Sequence, residues 1–374
     1  MEFRDLKRQY MAIRSEIDTA IVNVINSSNF IMGKEVQELE KELAEVVGVN
    51  ECISCANGTD ALQLALMAWD IGSGDAVFVP DFTFFSSGEV VSAVGATPIF
   101  VNVCHDTYNI SPENLEKCIQ YVMKETDLNP KVIIAVDLFG LPADYDKIRV
   151  IAQKYNLKVL EDGAQGFGGN ICGKKACSFG DISTTSFFPA KPLGCYGDGG
   201  AIFTNNREWA ELMCSYRVHG KGKTKYDNVR IGMNSRLDTI QAAVLKAKLP
   251  VFINQELDDM QRIAKWYDQE LSGYVKVPVR PEGFQSSFAQ YTICFDSSGT
   301  RERVQQACIE KKIPTAVYYS KPMHLQTAFT DVREVQQKIF DTEVVCNTVL
   351  SLPFHPYMER NEVLTVCRVI KESI

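Results

Sequence analysis

Apolar residues recur at helical spacing through the first fifty residues of the chain. They predict one helical stretch over residues 5–27 and a second over 33–47, where Val36, Leu39 and Leu43 are separated by charged positions. Short apolar runs then begin to alternate with helical patterns. Strands are predicted over 52–54, 76–80, 97–101, 131–136 and 158–160, and helices over 59–68, 86–94, 112–122 and 145–155. Apolar strands that alternate with helices are typical of a mostly parallel sheet covered on both faces, so the pattern predicts an α/β fold.

The pattern changes in the second half of the chain. Two strand-like stretches, 184–188 and 201–204, follow one another and indicate an antiparallel or hairpin pair. Further along come predicted helices over 237–249, 252–271, 301–311 and 361–370, and predicted strands over 289–295 and 315–319. We therefore expect a large α/β domain with N-terminal helices over residues 1–250. A smaller α+β domain is expected over residues 251–374.

Composition and charge exclude several classes of protein. The 374 residues carry a formal charge of −8, which argues against a general nucleic-acid binder. No signal peptide and no apolar run of membrane-spanning length is visible, so a cytoplasmic protein is expected. Twelve cysteines in such a chain should be reduced thiols, and Cys52 and Cys55 lack the second pair that a zinc site needs. They are interpreted as buried cysteines, and no metal site is predicted.

Four side chains follow predicted strands in positions where chemistry is carried out in α/β proteins. The strand 158–160 runs into Glu161 and Asp162, and Lys191 lies in a turn bounded by proline and glycine. Thr59 follows a glycine at the start of a helix, and Phe84 follows the strand 76–80. Each alone has an ordinary explanation as a cap, a turn former or a solvated side chain.

Together these residues fit the needs of pyridoxal phosphate. That cofactor requires a lysine amine to bind it covalently and a carboxylate to keep its pyridine nitrogen protonated. Its phosphate requires N–H groups at a helix N-terminus, and its ring favours an aromatic neighbour. Lys191, Asp162, the Gly58–Thr59 pair and Phe84 supply these groups in a compatible strand order.

Five ordered motifs extend this match to a known family. They are Asn-Gly-Thr-Asp-Ala-Leu at 57–62, Glu-Asp-Gly-Ala-Gln at 161–165, Ser-Phe-Phe-Pro-Ala-Lys at 186–191, Gly-Asp-Gly-Gly at 197–200 and Asn-Ser-Arg-Leu-Asp at 234–238. The chain resembles the DegT/StrS family of sugar aminotransferases over nearly its whole length. The resemblance implies the fold-type I aminotransferase fold and pyridoxal 5'-phosphate as cofactor.

The resemblance also implies roles for individual residues. Lys191 would carry the cofactor, Asp162 would contact the pyridine nitrogen, Gln165 the ring hydroxyl oxygen and Phe84 the ring face. The phosphate would be held by Gly58, Thr59 and Ser186. Asn234 would reach the phosphate of the other subunit, which implies a homodimer with shared active sites. The candidate substrate-binding residues are Arg236, Tyr318, Tyr319, His324 and Lys221.

Lys221 belongs to a basic run in an otherwise acidic chain. The run comprises His219, Lys221, Lys223, Lys225 and Arg230. It is either a solvated loop or a strap across a nucleotide diphosphate. Tyr318 departs from the family's pattern, because many relatives have histidine at this position.

The resemblance is strongest to a branch of the family that aminates UDP-linked 3-keto uronic acids for surface polysaccharides. The expected reaction moves an amino group from glutamate to UDP-2-acetamido-2-deoxy-3-keto-glucuronate. Amination at C4 of a nucleotide-linked 4-keto-6-deoxy sugar is the alternative, and a non-catalytic regulator built on the same fold is a further one. Dehydrating relatives replace the lysine with histidine, so Lys191 argues against dehydration.

Overall fold

Three helices open the chain. The structure is a computed structural model that describes residues 1–224, 226–335 and 341–374. The predicted helix over 5–27 is two helices, α1 (Leu6–Ala12) and α2 (Arg14–Ser27), because Ile13 leaves the helical conformation with φ −128° and ψ 27°. Helix α3 (Lys34–Val47) follows, and it ends where Gly48 adopts a φ of 82°.

A seven-stranded sheet forms the centre of the molecule. Its strands lie in the order β1 (Glu51–Cys55), β9 (Gly200–Thr204), β8 (Ile182–Ser186), β5 (Lys158–Asp162), β4 (Asn129–Val136), β2 (Asp75–Pro80) and β3 (Thr97–Val101). Strands β2, β3, β4, β5 and β8 run parallel to one another, and β9 is antiparallel to both of its neighbours, β1 and β8. Both the mostly parallel sheet and the antiparallel β8–β9 pair agree with the sequence pattern.

Helices cover both faces of this sheet. They are α4 (Gly58–Ala68), α5 (Ser86–Ala93), α6 (Pro112–Glu125), α7 (Tyr145–Tyr155) and α8 (Arg207–Tyr216). Val77 and Val79 of β2 pack in the apolar cluster on the α4 and α5 side, while Ala76 and Phe78 pack in the cluster on the α6 and α7 side. Successive residues of one strand are thus buried on opposite faces, which explains why the strands are apolar throughout. Helix α8 was not predicted.

The C-terminal third forms a second, smaller layer. Strand β11 (Tyr291–Cys294) pairs antiparallel with β12 (Val349–Leu352), and both belong to the apolar cluster that includes residues of α10, α11 and α13. The helices are α9 (Thr239–Val251), a π-helical turn (Phe252–Glu256), α10 (Leu257–Leu271), α11 (Ser298–Glu310), α12 (Asp341–Thr348) and α13 (Arg360–Ser373). The same cluster continues into α3 and α9. The domain division at residue 250 stays a prediction.

The predicted strand over 315–319 is wrong. Only Ala316 makes a bridge, to Ser351, and Tyr318 and Tyr319 then turn away from the two-stranded sheet into a cleft. Three two-residue strands, β6 (Asn170–Ile171), β7 (Lys174–Lys175) and β10 (Phe284–Gln285), form a small sheet that the pattern also missed. Across the three described ranges, no helix combines the length and apolarity needed to cross a membrane.

Candidate active site

An open cleft of about 900 Å³ lies at the carboxyl ends of the central strands. Nine of the thirteen predicted site residues line it: Gly58, Thr59, Phe84, Asp162, Gln165, Ser186, Lys191, Tyr318 and Tyr319. They come from segments that are far apart in the chain. The fold therefore brings the predicted cofactor residues and both tyrosines together.

Asp162 is the last residue of β5 and is buried, with 6% of its surface exposed. Its Oδ2 accepts a hydrogen bond from Ser87 Oγ at 2.8 Å, and its Oδ1 accepts one from the Ala164 backbone N–H at 3.2 Å. Burial raises the pKa of Asp162, and the Ser87 hydroxyl opposes that shift. A buried carboxylate at the cleft wall is placed to bind a cationic N–H group.

Glu161 precedes Asp162, but its side chain lies on the other face of the strand, as alternation requires. Its carboxylate accepts hydrogen bonds from the backbone N–H groups of Cys177 (2.5 Å), Phe179 (2.7 Å) and Gly180 (3.1 Å), and from Ser183 Oγ (2.7 Å). Glu161 thus organises the loop that leads into β8. The two adjacent carboxylates therefore have different roles: Asp162 faces the cleft, and Glu161 stabilises the loop before β8 from the other face of the strand.

Lys191 lies in the turn after β8 and is half-buried. Its backbone N–H donates to Phe188 O at 2.8 Å, which closes the turn. Burial lowers the pKa of Lys191, the Asp162 carboxylate raises it and the Arg4 guanidinium lowers it further. A lysine in these surroundings loses its proton more readily than a solvated one, as a nucleophile or base requires.

The start of α4 forms the end of the cleft where an anion would fit. Asn57 caps this helix, since its side chain accepts from the Asp60 backbone N–H at 2.8 Å. A Cβ at Gly58 would come within 2.8 Å of Ser186 Cβ, so only glycine lets the helix begin this close to β8. Thr59 Oγ1 and Ser86 Oγ lie 2.7 Å apart. Hydroxyls beside a helix N-terminus suit a phosphate group.

Aromatic and amide side chains form the opposite wall. Phe84 is 54% exposed at the cleft, and its ring centroid lies 6.3 Å from that of Tyr319. Gln165 Oε1 accepts from the Phe139 backbone N–H at 2.9 Å, which fixes the amide so that Nε2 donates to the Tyr319 hydroxyl at 3.3 Å. The Tyr318 ring packs against Phe3 from the start of the chain, at 6.1 Å.

Four predicted residues do not line the cleft of this chain. Asn234 and Lys221 are exposed, and Arg236 is half-buried. His324 binds Asp81, with its Nδ1 2.7 Å from Asp81 Oδ2 and its backbone N–H donating to Oδ1 at 2.8 Å. Asp81 is fully buried, so this pair anchors the segment beside the cleft.

The described part of the basic run lies at the surface: His219, Lys221 and Lys223 are exposed, and Arg230 is half-buried. Lys221 makes a bridge to Asn228, and Arg230 Nη1 donates to Ser215 Oγ at 2.6 Å. Arg217, just before the run, is buried and binds Glu40 at 2.5 Å. Lys225 lies outside the described residues.

The two cysteines of the Cys52–Cys55 pair are free thiols on β1. Cys55 is fully buried, as predicted, and burial raises its pKa to about 12, whereas Cys52 is only half-buried. In the part of the chain that the structure describes, no group of three or more His, Cys, Asp or Glu side chains is placed to hold a metal ion.

Comparison with known proteins gives a consistent result. Residues 11–371 match the model of the DegT/DnrJ/EryC1/StrS aminotransferase family. The chain is 42% identical over 371 residues, covering 99% of both chains, to the UDP-2-acetamido-2-deoxy-3-oxo-D-glucuronate aminotransferase of Pseudomonas aeruginosa. It is 38% identical, over 99% of this chain and 97% of the relative, to the UDP-N-acetyl-3-dehydro-alpha-D-glucosamine 3-aminotransferase of Acidithiobacillus ferrooxidans.

A solved structure extends the likeness to the fold. It is a DegT DnrJ EryC1 StrS aminotransferase from Brucella abortus, with a TM-score of 0.92 and 46% sequence identity over 100% of this chain and 99% of that chain. The predicted fold class is thereby confirmed.

Proposed function

The chain belongs to the DegT/DnrJ/EryC1/StrS aminotransferase family, and from that membership we propose that it moves an amino group from glutamate to UDP-2-acetamido-2-deoxy-3-keto-glucuronate. It is a pyridoxal phosphate-dependent sugar aminotransferase, as the family is. The named substrate is supported by the full-length identity to the Pseudomonas aeruginosa enzyme that bears it in its name. Glutamate, the product's use in surface polysaccharides and a cytoplasmic location belong to the proposal.

The residues of the cleft fit pyridoxal phosphate. Asp162 is a buried carboxylate at one end, and the Gly58 cradle at the other end has no room for a side chain. Asp162 would bind the pyridine nitrogen, Gln165 the ring hydroxyl and Phe84 the ring face, while Gly58, Thr59 and Ser186 would hold the phosphate. When bound, the cofactor supplies an aldehyde that condenses with amines and a pyridinium ring that withdraws electrons.

The juxtaposition of Lys191 and Asp162 in one cleft carries the proposal. Lys191 would bear the cofactor, and its Nζ, once released and neutral, would take the proton from Cα of glutamate. The lowered pKa of Lys191 favours this neutral form. Asp162 would keep the proton on the pyridine nitrogen, because a carboxylate beside that atom favours its charged form.

The sugar nucleotide would occupy the wider part of the cleft, beside Tyr318 and Tyr319. Arg236, Lys221 and His324 are proposed to contact its anionic groups, since arginine and lysine bind carboxylates and phosphates well. Lys221, Asn234 and Arg236 lie outside the cleft of their own chain, which is the placement expected of residues that serve a neighbouring subunit.

A homodimer with shared active sites is therefore part of the proposal. Large apolar side chains are exposed around the cleft and along residues 226–236, among them Phe188 (53%), Tyr226 (86%) and Ile231 (90%). Such exposure on a folded chain is typical of an interface with another protein chain.

Absorption spectroscopy of the purified holoenzyme tests the proposal. Glutamate should remove the absorbance band of the lysine-bound cofactor, and UDP-2-acetamido-3-keto-glucuronate should restore it. If only a UDP-linked 4-keto-6-deoxy sugar restores the band, the enzyme aminates C4 instead of C3. If glutamate does not change the band, glutamate is not the amino donor. Lys191→Ala should bind cofactor yet show no turnover, and full activity of that variant would refute the role of Lys191.

A further inference from the structure

Two cationic side chains donate hydrogen bonds to the backbone carbonyls of the turn that carries Lys191. Arg4 Nη2 donates to the backbone carbonyls of Lys191 (2.9 Å) and Pro192 (3.2 Å). Lys248 Nζ donates to the carbonyl of Gly194 at 2.6 Å. Three of the four carbonyls of residues 191–194 are thus bound by charged donors, which make stronger hydrogen bonds than neutral ones.

Both cations are withdrawn from solvent. Lys248 is 2% exposed, and burial lowers its pKa to about 8. Arg4 is half-buried, and its Nη1 is a buried atom with no hydrogen-bond partner among the described residues. Burying two cations is unfavourable unless something compensates.

Glu256 supplies the compensating charge. It is 2% exposed, and its charge raises the pKa of both Arg4 and Lys248. Its carboxylate accepts hydrogen bonds from Gln9 Nε2 at 2.9 Å and from the Tyr357 hydroxyl at 2.6 Å. Glu256 is the last residue of the π-helical turn after α9, and such turns are frequent at functional sites.

The first residues of the chain reach this position through contacts of their own. Phe3 O accepts from the Phe354 backbone N–H at 3.0 Å, and the Phe3 ring packs on Tyr318. Arg8 forms a bidentate pair with Glu362, with both N–O distances 2.9 Å. Arg4 therefore connects the N-terminal segment to the lysine turn, and Arg8 secures the same segment without touching that turn.

We propose that Arg4 and Lys248 are positioning residues for Lys191, because they fix the backbone of the 191–194 turn and so the place of the Lys191 amine opposite Asp162. This inference rests on the proposed role of Lys191. Asp162 and Arg4 are the charged groups that act on the Lys191 amine, the first favouring and the second disfavouring its protonated form. Arg4 thus has two effects, a geometric one through the carbonyls and an electrostatic one through its charge.

Three variants separate these two effects of Arg4. Arg4→Met removes both the hydrogen-bond donors and the positive charge, whereas Arg4→Lys keeps the charge but lacks the planar guanidinium that binds two carbonyls. Arg8→Met removes an anchor of the N-terminal segment and leaves Arg4 in place. The first readout uses protein freed of cofactor. The pH profile of acetimidate labelling of Lys191, followed by mass spectrometry, gives the pKa of its amine. In Arg4→Met this pKa should rise by about 0.5 to 1 unit, because a nearby positive charge is lost. Arg4→Lys and Arg8→Met should stay within about 0.2 units of the original protein.

The second readout is turnover by the holoenzyme. We expect kcat to fall about three- to tenfold in Arg4→Met, Arg4→Lys and Lys248→Met, with KM for glutamate within about twofold. Arg8→Met should keep its kcat. The proposal is overturned if Arg4→Met has the labelling profile and the kcat of Arg8→Met, since Arg4 would then only anchor the chain terminus. Cofactor bound to a lysine other than Lys191 would instead refute the proposed function.

Discussion

The neighbouring acids Glu161 and Asp162 should respond in opposite ways to the same chemical change. Converting Glu161 to glutamine keeps the side-chain shape but replaces one carboxylate oxygen with an NH2 group. If the amide oxygen takes the place of Oε2, it still accepts from Phe179, Gly180 and Ser183. The NH2 group then faces the Cys177 N–H, which loses its acceptor in a fully buried position.

The magnitude follows from these four hydrogen bonds. A buried N–H without an acceptor costs about 1 to 3 kcal/mol. The three remaining hydrogen bonds lose their charge assistance, at roughly 0.5 kcal/mol each. These losses amount to about 3 kcal/mol. Neutralising Glu161 also removes its repulsion of the buried Asp137 carboxylate, which offsets roughly 1 kcal/mol, so Glu161→Gln should lower the free energy of unfolding by about 2 kcal/mol. Asp162→Asn should cost under ~1 kcal/mol, because Asn can still accept from Ser87, and the Ala164 N–H that loses its acceptor is only part-buried at the open cleft, where water can replace it.

Thermal unfolding of the cofactor-free protein measures the difference. An unfolding entropy of about 2.1 cal/mol/K per residue amounts to ~0.8 kcal/mol/K over 374 residues that unfold as one unit, so Tm should fall by about 2 to 3 °C in Glu161→Gln. Asp162→Asn should keep its Tm within about 1 °C and lose transamination by about a hundredfold or more. An unchanged Tm in Glu161→Gln, or unfolding of Asp162→Asn, would refute the conclusion that Glu161 stabilises the fold while Asp162 serves the reaction.

Three further outcomes follow from the structure. Gly58→Ala should weaken pyridoxal phosphate binding about tenfold, because its Cβ would meet Ser186 Cβ at 2.8 Å; titration of cofactor-free protein measures this affinity. His355 is buried, and burial lowers its pKa to about 4. The folded chain then binds fewer protons than the unfolded chain below pH ~6.5, so about 3 kcal/mol of stability is lost as pH falls from 6.5 to about 4. In His355→Gln the dependence of Tm on pH should be flatter over this window. Mixing inactive Lys191→Ala with inactive Asn234→Ala should restore up to about a quarter of the activity if subunits share sites, and no recovery after verified subunit exchange would contradict the shared site.

Much of the site could be predicted because its residues end or follow strands. Asp162 ends an apolar strand, while the Gly58–Thr59 pair and Lys191 follow more polar strands within five residues; the strands bring their carboxyl ends to one edge of the sheet. The motif residues then specify the chemistry more sharply than the pattern does.

What the sequence did not reveal depends on long-range contacts or on very short elements. Arg4 lies in a charged N-terminal stretch, and nothing local shows that its guanidinium binds the backbone of Lys191. Glu161 gave a signal, since consecutive acids at a strand end must face opposite sides, but its four partners come from a later loop. Strands of two residues are too short to show an alternating pattern. The Thr-Ala-Val segment at 315–317 resembles a strand, although the chain leaves the sheet there.

The position of β9 has a consequence for synthesis of the chain. In the described part of the chain, strand β1 pairs in the central sheet with β9 alone, where Glu51 pairs with Thr204 and Cys55 with Gly200. About 150 residues must leave the ribosome between the two strands, which takes roughly 8 to 30 s at about 5 to 20 residues per second. During that time β1 has an unsatisfied backbone edge beside helices that are already able to form. The end of the sheet that holds Gly58 and Ser186 together is therefore assembled last, so a nascent chain cannot bind cofactor before β9 has emerged.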